Sequence, residues 1–228
     1  MNIIMDIPII IYHLGYKDYV TCCLKQALKY NNNVILITDA VNEYSNIDGL
    51  IVINNSSYSS GSNLFRKKYI HLSNNSPVIE LICIQRWISI YEYMYGNNIK
   101  RAFICDSDIL IYENITEIDN NYLSENEYML CSSPSKNLTG SQSIWNLSKL
   151  KEFISFIFVF YNTQKDNMIK WYKTYQEPGG ICDMTLLYYF SHNEKIFKGI
   201  RLPAFPYFEN DLTHIFNNEL TFDLHLDS

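Results

Sequence analysis

Short apolar runs alternate in the first part of the chain with longer segments of helical periodicity. Ile7 to Tyr12 and Val34 to Asp39 are runs of this kind, and each predicts a buried strand. Asp18 to Tyr30 lies between them with its apolar residues at helical spacing, which predicts a helix. This strand–helix–strand opening predicts a parallel sheet with a right-handed crossover.

The middle of the chain continues the alternation. Gly49 to Ile53 predicts a third strand, and the Ser- and Asn-rich stretch Asn54 to Asn63 predicts a loop. Val78 to Tyr95 has the pattern of an amphipathic helix, which Gly96 is expected to end as a C-cap. Arg101 to Cys105 then predicts the next strand.

The last part of the chain has a weaker pattern. Tyr128 to Cys131 predicts a strand, and Ser132 to Ser143 predicts a polar loop. Helices are predicted within Ile144 to Asn162, in Asp166 to Gln176, and from Asp183 to Phe190. Since no internal repeat or linker interrupts the chain, one domain over residues 1–228 is expected.

Composition narrows the class of protein. With 47% hydrophobic and 18% charged residues, the chain is typical of a globular protein. The net charge of -6 argues against a nucleic-acid partner, which normally requires a basic face. The six Cys form no CxxC pair, which favours buried thiols in a reducing compartment. No signal peptide and no membrane-spanning apolar run are recognised, so a cytoplasmic location is expected.

The strongest chemical motif is Asp106-Ser107-Asp108, directly after the strand Arg101 to Cys105. Ligands of open α/β sheets bind beyond the carboxyl ends of the strands. Carboxylates there suit Mg²⁺ or Mn²⁺, and such an ion could bridge the phosphates of a nucleotide-sugar and offset charge on the departing diphosphate. A solvated acidic turn is the alternative, and the strand-end context favours the metal site.

The order of these segments resembles the GT-A family of glycosyltransferases. Ile7 to Asp39 resembles the nucleotide-binding opening of that family, and Gln85 to Asp108 resembles its central helix, strand and D-x-D motif. Thr139 to Trp145 resembles its acceptor-side loop, and Gly179 to Leu187 its late acidic motif. The resemblance, which extends to small bacterial and large-virus enzymes, implies an α/β fold with a Rossmann-like mixed sheet flanked by helices.

The same resemblance divides the chain into a donor-binding half of about residues 1–112 and an acceptor half of about residues 113–228. It implies that Asp108 ligates the metal and that Asp106 contacts the metal or the ribose. Asp39 would meet the base or ribose, and Tyr12 and His13 would lie against the nucleotide. Each of these residues has an alternative role in a turn or in packing.

Other roles follow from the resemblance with alternatives of their own. Ser107 belongs to the donor motif, and Arg86 could reach a phosphate bidentately or pair with Asp106 or Glu80 as scaffold. A third metal ligand is expected near the end of the domain, at His225, which follows Asp223 by two residues, or at His214.

The acceptor side and the catalytic base complete the implied site. Asp183 would accept the proton of the acceptor hydroxyl, or would only cap a helix. The polar groups of Gly140, Ser141 and Gln142 and the indole of Trp145 suit a sugar acceptor. An ordinary loop followed by a Trp in the core is the alternative for this segment.

The expected function is a metal-dependent glycosyltransferase. It would move a hexose or pentose from a UDP- or GDP-sugar to a hydroxyl of a glycan acceptor, with Mn²⁺ or Mg²⁺ as cofactor and an inverting mechanism preferred. A sugar nucleotidyltransferase is the first alternative, but such an enzyme would normally have a Gly-rich, basic loop after strand 1, whereas His13-Leu14-Gly15-Tyr16-Lys17 is poor in Gly. A non-catalytic carbohydrate-binding protein on the same fold is the second. The oligomeric state is left open.

Overall fold

The fold is taken from a computed structural model, which describes residues 6–123, 129–132, 138–163, 166, 169–170 and 180–192. Its centre is a mixed six-stranded sheet of order β3-β2-β1-β4-β6-β5. In chain order the strands are β1 (Ile9–Tyr12), β2 (Val34–Thr38), β3 (Leu50–Asn54), β4 (Arg101–Cys105), β5 (Met129–Ser132) and β6 (Leu138–Asn146). The first four are parallel, whereas β6 runs antiparallel to both β4 and β5.

Helices connect and cover these strands. They are α1 (Asp18–Tyr30), α2 (Val41–Tyr44), α3 (Ser60–Arg66), α4 (Pro77–Gly96), α5 (Ile115–Tyr122), α6 (Leu147–Thr163) and α7 (Asp183–His192), with a 3₁₀ turn at Asn55–Tyr58. None of the helices in the described ranges is both long enough and apolar enough to cross a membrane.

The alternation of side chains along β1 explains the two helical layers. Ile9 and Ile11 pack with Val20 and Leu24 of α1 on one face of the sheet. Ile10 points to the other face, where it joins a core formed by α4, α6 and α7. Since both faces are covered at the centre of the sheet, β1 and β2 are buried along almost their whole length and are almost entirely apolar, as strands buried on both faces must be. The predicted α/β fold with a Rossmann-like mixed sheet is confirmed.

The predicted loop at Asn54 to Asn63 is wrong, because α3 begins at Ser60. Gly61 brings this helix against α4, where its amide donates to the Glu92 carboxylate at 2.6 Å. A Cβ at Gly61 would lie 2.8 Å from Ile88, so only glycine permits this approach. Phe65 is then fully buried. Tertiary packing therefore stabilises a helix in a segment of turn-like composition.

The predicted loop at Ser132 to Ser143 is wrong too, because its second half belongs to β6. Gln142 and Ser143 pair with β4, and the buried Ser143 hydroxyl donates to the Ile104 carbonyl at 3.3 Å. The helix predicted within Ile144 to Asn162 is present as α6, which begins at Leu147 and extends to Thr163. Most of the helix predicted for Asp166 to Gln176 lies outside the described residues.

Candidate active site

The D-x-D motif follows the C-terminal end of β4, which lies beside the C-terminal end of β1. Ile11 is paired with Cys105, so Tyr12 and Asp106 follow on neighbouring strands at the same edge. The connection continues one residue further, where His13 Nδ1 and the Ser107 hydroxyl are hydrogen-bonded at 2.8 Å. The structure thus brings the segment after β1 into contact with the D-x-D motif, and both were predicted to bind the donor.

The imidazole of His13 lies just after the C-terminal end of β1 and has one ring nitrogen, Nε2, without a hydrogen-bond partner among the described residues. Burial is the main cause that lowers its pKa, so the imidazole is neutral near pH 7. Nδ1 is held by Ser107, whereas the buried Nε2 has no hydrogen-bond partner among the described residues. Buried polar atoms are normally paired, so an unpaired ring nitrogen at a strand end fits a bound ligand or ion.

Arg86 connects the D-x-D motif to the start of α7. Its Nη1 is ion-paired with Asp106 Oδ1, and its Nη2 donates to Asp183 Oδ2 at 2.8 Å. Trp87 Nε1 donates to the same Asp183 oxygen at 3.2 Å. Burial alone would lower the pKa of Arg86, but the two carboxylates outweigh it and raise that pKa, so the guanidinium stays charged.

Glu80 holds the N-terminal end of α7 through a hydrogen bond to Asp183. Its side chain is buried, and Oε1 accepts from the Asp183 amide at 3.2 Å. Oε2 accepts from Asn75 Nδ2 at 2.9 Å and from the Ser73 hydroxyl at 3.2 Å. Ser73 also forms an antiparallel bridge with Gly180, so this turn is tied to the segment that precedes α4.

Glu80, Cys182 and Asp183 also form a group that could hold a metal, with ligand atoms within 4.8 Å of one another. Protein donors already occupy both carboxylates, as described above for Glu80 and Asp183. Burial raises the pKa of the Cys182 thiol, which favours the protonated form over the thiolate that metals bind. This group therefore fits a structural role better than a metal site.

The D-x-D carboxylates fit a hard divalent cation better. Asp106 and Asp108 are both half-buried, and the Asp106 side chain keeps 26% of its surface exposed. Arg86 binds Oδ1 of Asp106, and no other described residue is hydrogen-bonded to this carboxylate, so Oδ2 remains for an ion. Oxygen ligands of this kind at a partly open site are what Mg²⁺ and Mn²⁺ require.

Asp39 holds the loop that follows β1. Its Oδ1 accepts from the Gly15 amide at 2.6 Å, and Gly15 takes a positive φ of 81° that favours glycine. The Asp39 side chain thus stabilises the turn at Gly15, while the residue itself is exposed just after the C-terminal end of β2. Tyr12 is half-buried there, and burial raises its pKa to about 12.

The acceptor-side residues lie differently from the expectation. Trp145 is fully buried and stacks on Phe153, and its Nε1 donates to the Ser143 hydroxyl at 2.9 Å. It is therefore part of the core and has no face open to a sugar, which corrects the acceptor role expected of it. Gly140, Ser141 and the half-buried Gln142 lie in β6. His225 and His214 fall outside the described residues.

A cavity of about 510 Å³ lies between α3 and α4, next to the end of β1. Its lining includes Tyr12, Arg66, His71 and Gln85. Arg66 and His71 were not predicted as site residues, since neither belongs to a motif and the first part of α3 lies in the stretch Asn54 to Asn63 that predicted a loop. The helical spacing of Ser62, Phe65 and Arg66 was the available signal.

Comparison with solved structures identifies distant similarities. The galactosyltransferase LgtC in complex with donor and acceptor sugar analogs is 11% identical, over 79% of this chain and 69% of that one, with a TM-score of 0.46. Mouse xyloside xylosyltransferase 1 is 10% identical, over 84% and 83%, also at 0.46. A cytidylyltransferase from Leptospira borgpetersenii is 13% identical, over 88% and 100%, at 0.41. No family model and no curated protein matches the sequence.

Proposed function

We propose that this protein is a metal-dependent glycosyltransferase that uses a nucleoside-diphosphate sugar. One observation carries the proposal: a single guanidinium, that of Arg86, binds both the D-x-D residue Asp106 and Asp183 at the start of α7. Two motifs that the resemblance assigned to donor binding and to catalysis are thereby held at one site.

The donor would lie across the ends of β1, β2 and β4. Asp106 and Asp108 would hold Mn²⁺ or Mg²⁺, which when bound supplies positive charge to the diphosphate leaving group. His13 and Ser107 are already in contact with each other beside it. Tyr12 and Asp39, at the ends of β1 and β2, are the proposed contacts to the nucleoside of a UDP- or GDP-sugar, and Arg86 keeps Asp106 in place.

Asp183 is the proposed base. A carboxylate has about four acceptor positions, and within the described residues Asp183 uses three of them, for Arg86, Trp87 and the Met184 amide. The remaining one can accept the proton of an acceptor hydroxyl, while that oxygen bonds to the anomeric carbon and the bond from this carbon to the phosphate oxygen breaks. Such a direct displacement inverts the anomeric centre. Gly140, Ser141 and Gln142 of β6 are the proposed acceptor contacts.

A donor panel tests this proposal directly. UDP- and GDP-sugars are added with Mn²⁺, and both the thermal shift and the slow hydrolysis of the donor are measured. Metal-dependent binding with hydrolysis supports a glycosyltransferase, whereas binding without turnover would indicate a carbohydrate-binding protein. A panel with neither binding nor hydrolysis would overturn the proposal. Release of pyrophosphate from a nucleoside triphosphate and a sugar phosphate would instead indicate a nucleotidyltransferase.

A further inference from the structure

The cavity between α3 and α4 opens beside the proposed metal site. Tyr12 lines it, and the register of β1 and β4 places Tyr12 next to Asp106. Neighbouring strands are about 4.8 Å apart. A molecule in the cavity would therefore lie within reach of a group bound at the D-x-D motif.

The lining of the cavity has the chemistry of a sugar site. Amides of Asn55, Asn63 and Gln85 supply donors and acceptors, and the rings of Tyr12 and Tyr69 supply flat faces. Sugar rings need both, since hydroxyls point from their edges and C–H groups cover their faces. At about 510 Å³ the cavity is large enough for a monosaccharide.

The charge of the lining is unusual for this protein. The whole chain carries a net charge of -6, yet the described residues around the cavity include Arg66 and His71 and neither Asp nor Glu. Such a lining favours an anion over a neutral or cationic ligand.

Arg66 is available for that anion. It is the last residue of α3 and is exposed. The ion pairs formed within the described ranges use Arg86, Arg101 and Lys149 and leave Arg66 without a carboxylate. His71 binds the Tyr69 hydroxyl through Nδ1 at 2.9 Å, so Nε2 is the ring nitrogen left for a ligand.

We propose that this cavity binds a sugar residue that carries an anionic group, a carboxylate or a phosphate, and that Arg66 recognises the anion. This inference rests on the proposed function for its use of the bound sugar, but the binding itself is testable without turnover. A guanidinium donates paired hydrogen bonds to either anion, and because the acceptor is charged these bonds are stronger than those to the hydroxyls of a neutral sugar.

Binding of small sugars tests the inference. Glucuronate, glucose 6-phosphate, glucose and inorganic phosphate are titrated by ligand-observed NMR against the wild type, Arg66→Gln and, as a matched control, Lys67→Gln. We expect one anionic sugar to bind at least about tenfold more tightly than glucose, corresponding to one charge-assisted contact. Arg66→Gln should remove that preference, and Lys67→Gln should keep it. Which anionic sugar binds identifies the source as a uronate or a sugar phosphate.

Two results would overturn the inference. Equal affinity for glucose and both anionic sugars would exclude recognition of the anion, and phosphate alone binding as well as glucose 6-phosphate would exclude recognition of the sugar. UDP and GDP, each with Mn²⁺, are titrated in the same samples. If the wild type shows no metal-dependent binding of either nucleotide but keeps the preference for an anionic sugar, the proposed function fails and the cavity assignment stands.

Discussion

Asp106 and Asp183 lie in different halves of the chain and bind the two terminal nitrogens of the same guanidinium. Because the side chain of Arg86 keeps only 15% of its surface exposed, these contacts are poorly screened by solvent. Removal of the guanidinium would leave two carboxylates close together without a counter-charge. The shared contact with Arg86 is therefore expected to determine how mutations affect both Asp106 and Asp183.

Arg86→Lys should weaken both the fold and the donor site. A single ammonium cannot reproduce the two-pronged contact, and we expect a loss of about 1–3 kcal/mol in the free energy of unfolding. Arg101→Lys is the matched control, since Arg101 forms a comparable half-buried pair with Asp119 away from the site. Chemical denaturation and UDP titration with Mn²⁺ should show that both variants lose stability and only Arg86→Lys loses affinity. Equal UDP affinity in the two variants would contradict a role of Arg86 in positioning Asp106.

Asp108→Ala should abolish metal-dependent donor binding while the fold persists, because the residue lies in a turn at the edge of the sheet. We expect the affinity for UDP with Mn²⁺ to fall at least about tenfold, the effect of losing one charge-assisted ligand. Calorimetry with and without the metal measures this, and Glu113→Ala, which removes an exposed carboxylate nearby in sequence, is the control. Unchanged Mn²⁺-dependent affinity would exclude Asp108 as a ligand.

Asp183→Asn should separate binding from chemistry. The amide oxygen can still accept from Arg86 and Trp87, so donor affinity should change little. Transfer should fall by about 10²–10⁴-fold if the carboxylate takes the acceptor proton. Single-turnover transfer and donor titration measure the two effects, and Thr185→Ser controls for changes at the start of α7. Undiminished transfer would point to another base or to a retaining mechanism.

Glu80→Gln should change how stability depends on pH. Burial is the main cause that raises the pKa of Glu80 above its ordinary 4.5. Above pH 4.5 the folded state therefore keeps a proton that the unfolded state has released, and the contribution of Glu80 to the free energy of unfolding falls as the pH rises. Glutamine does not titrate, so the difference between variant and wild type should shift in favour of the variant from pH 4.5 upward. Parallel pH profiles from denaturant unfolding would contradict the raised pKa.

Hydrophobic periodicity was sufficient to predict the helices whose buried residues recur along their length. Helix α1 begins and ends at the predicted residues, and α4 differs by one residue at each end. α3 and β6 could not be predicted in this way, because their sequences are polar and their stability comes from partners distant in the chain. Gly61 against α4 and Ser143 against β4 are such contacts.

In the candidate site too, residues adjacent in sequence could be predicted, whereas contacts between distant residues could not. The D-x-D motif could be recognised because its residues are adjacent in sequence and follow an apolar strand. The contact of Arg86 with Asp183 joins residues 97 positions apart, and only the packing of α7 on α4 creates it. Trp145 shows the reverse error, since an aromatic residue next to polar groups suggested a sugar contact and proved to be core.

The position of β4 has a consequence for biosynthesis. The strand that carries the D-x-D motif lies inside the sheet, with β1 on one side and β6 on the other. During translation β1 is present first, but β4 has an open edge until the chain has been made as far as Asn146. Unpaired strand edges recruit other strands. Ribosome-bound chains that end shortly before β6 should therefore depend most on chaperones. Release from that dependence should coincide with completion of β6, the strand that pairs with β4 beside the proposed metal site.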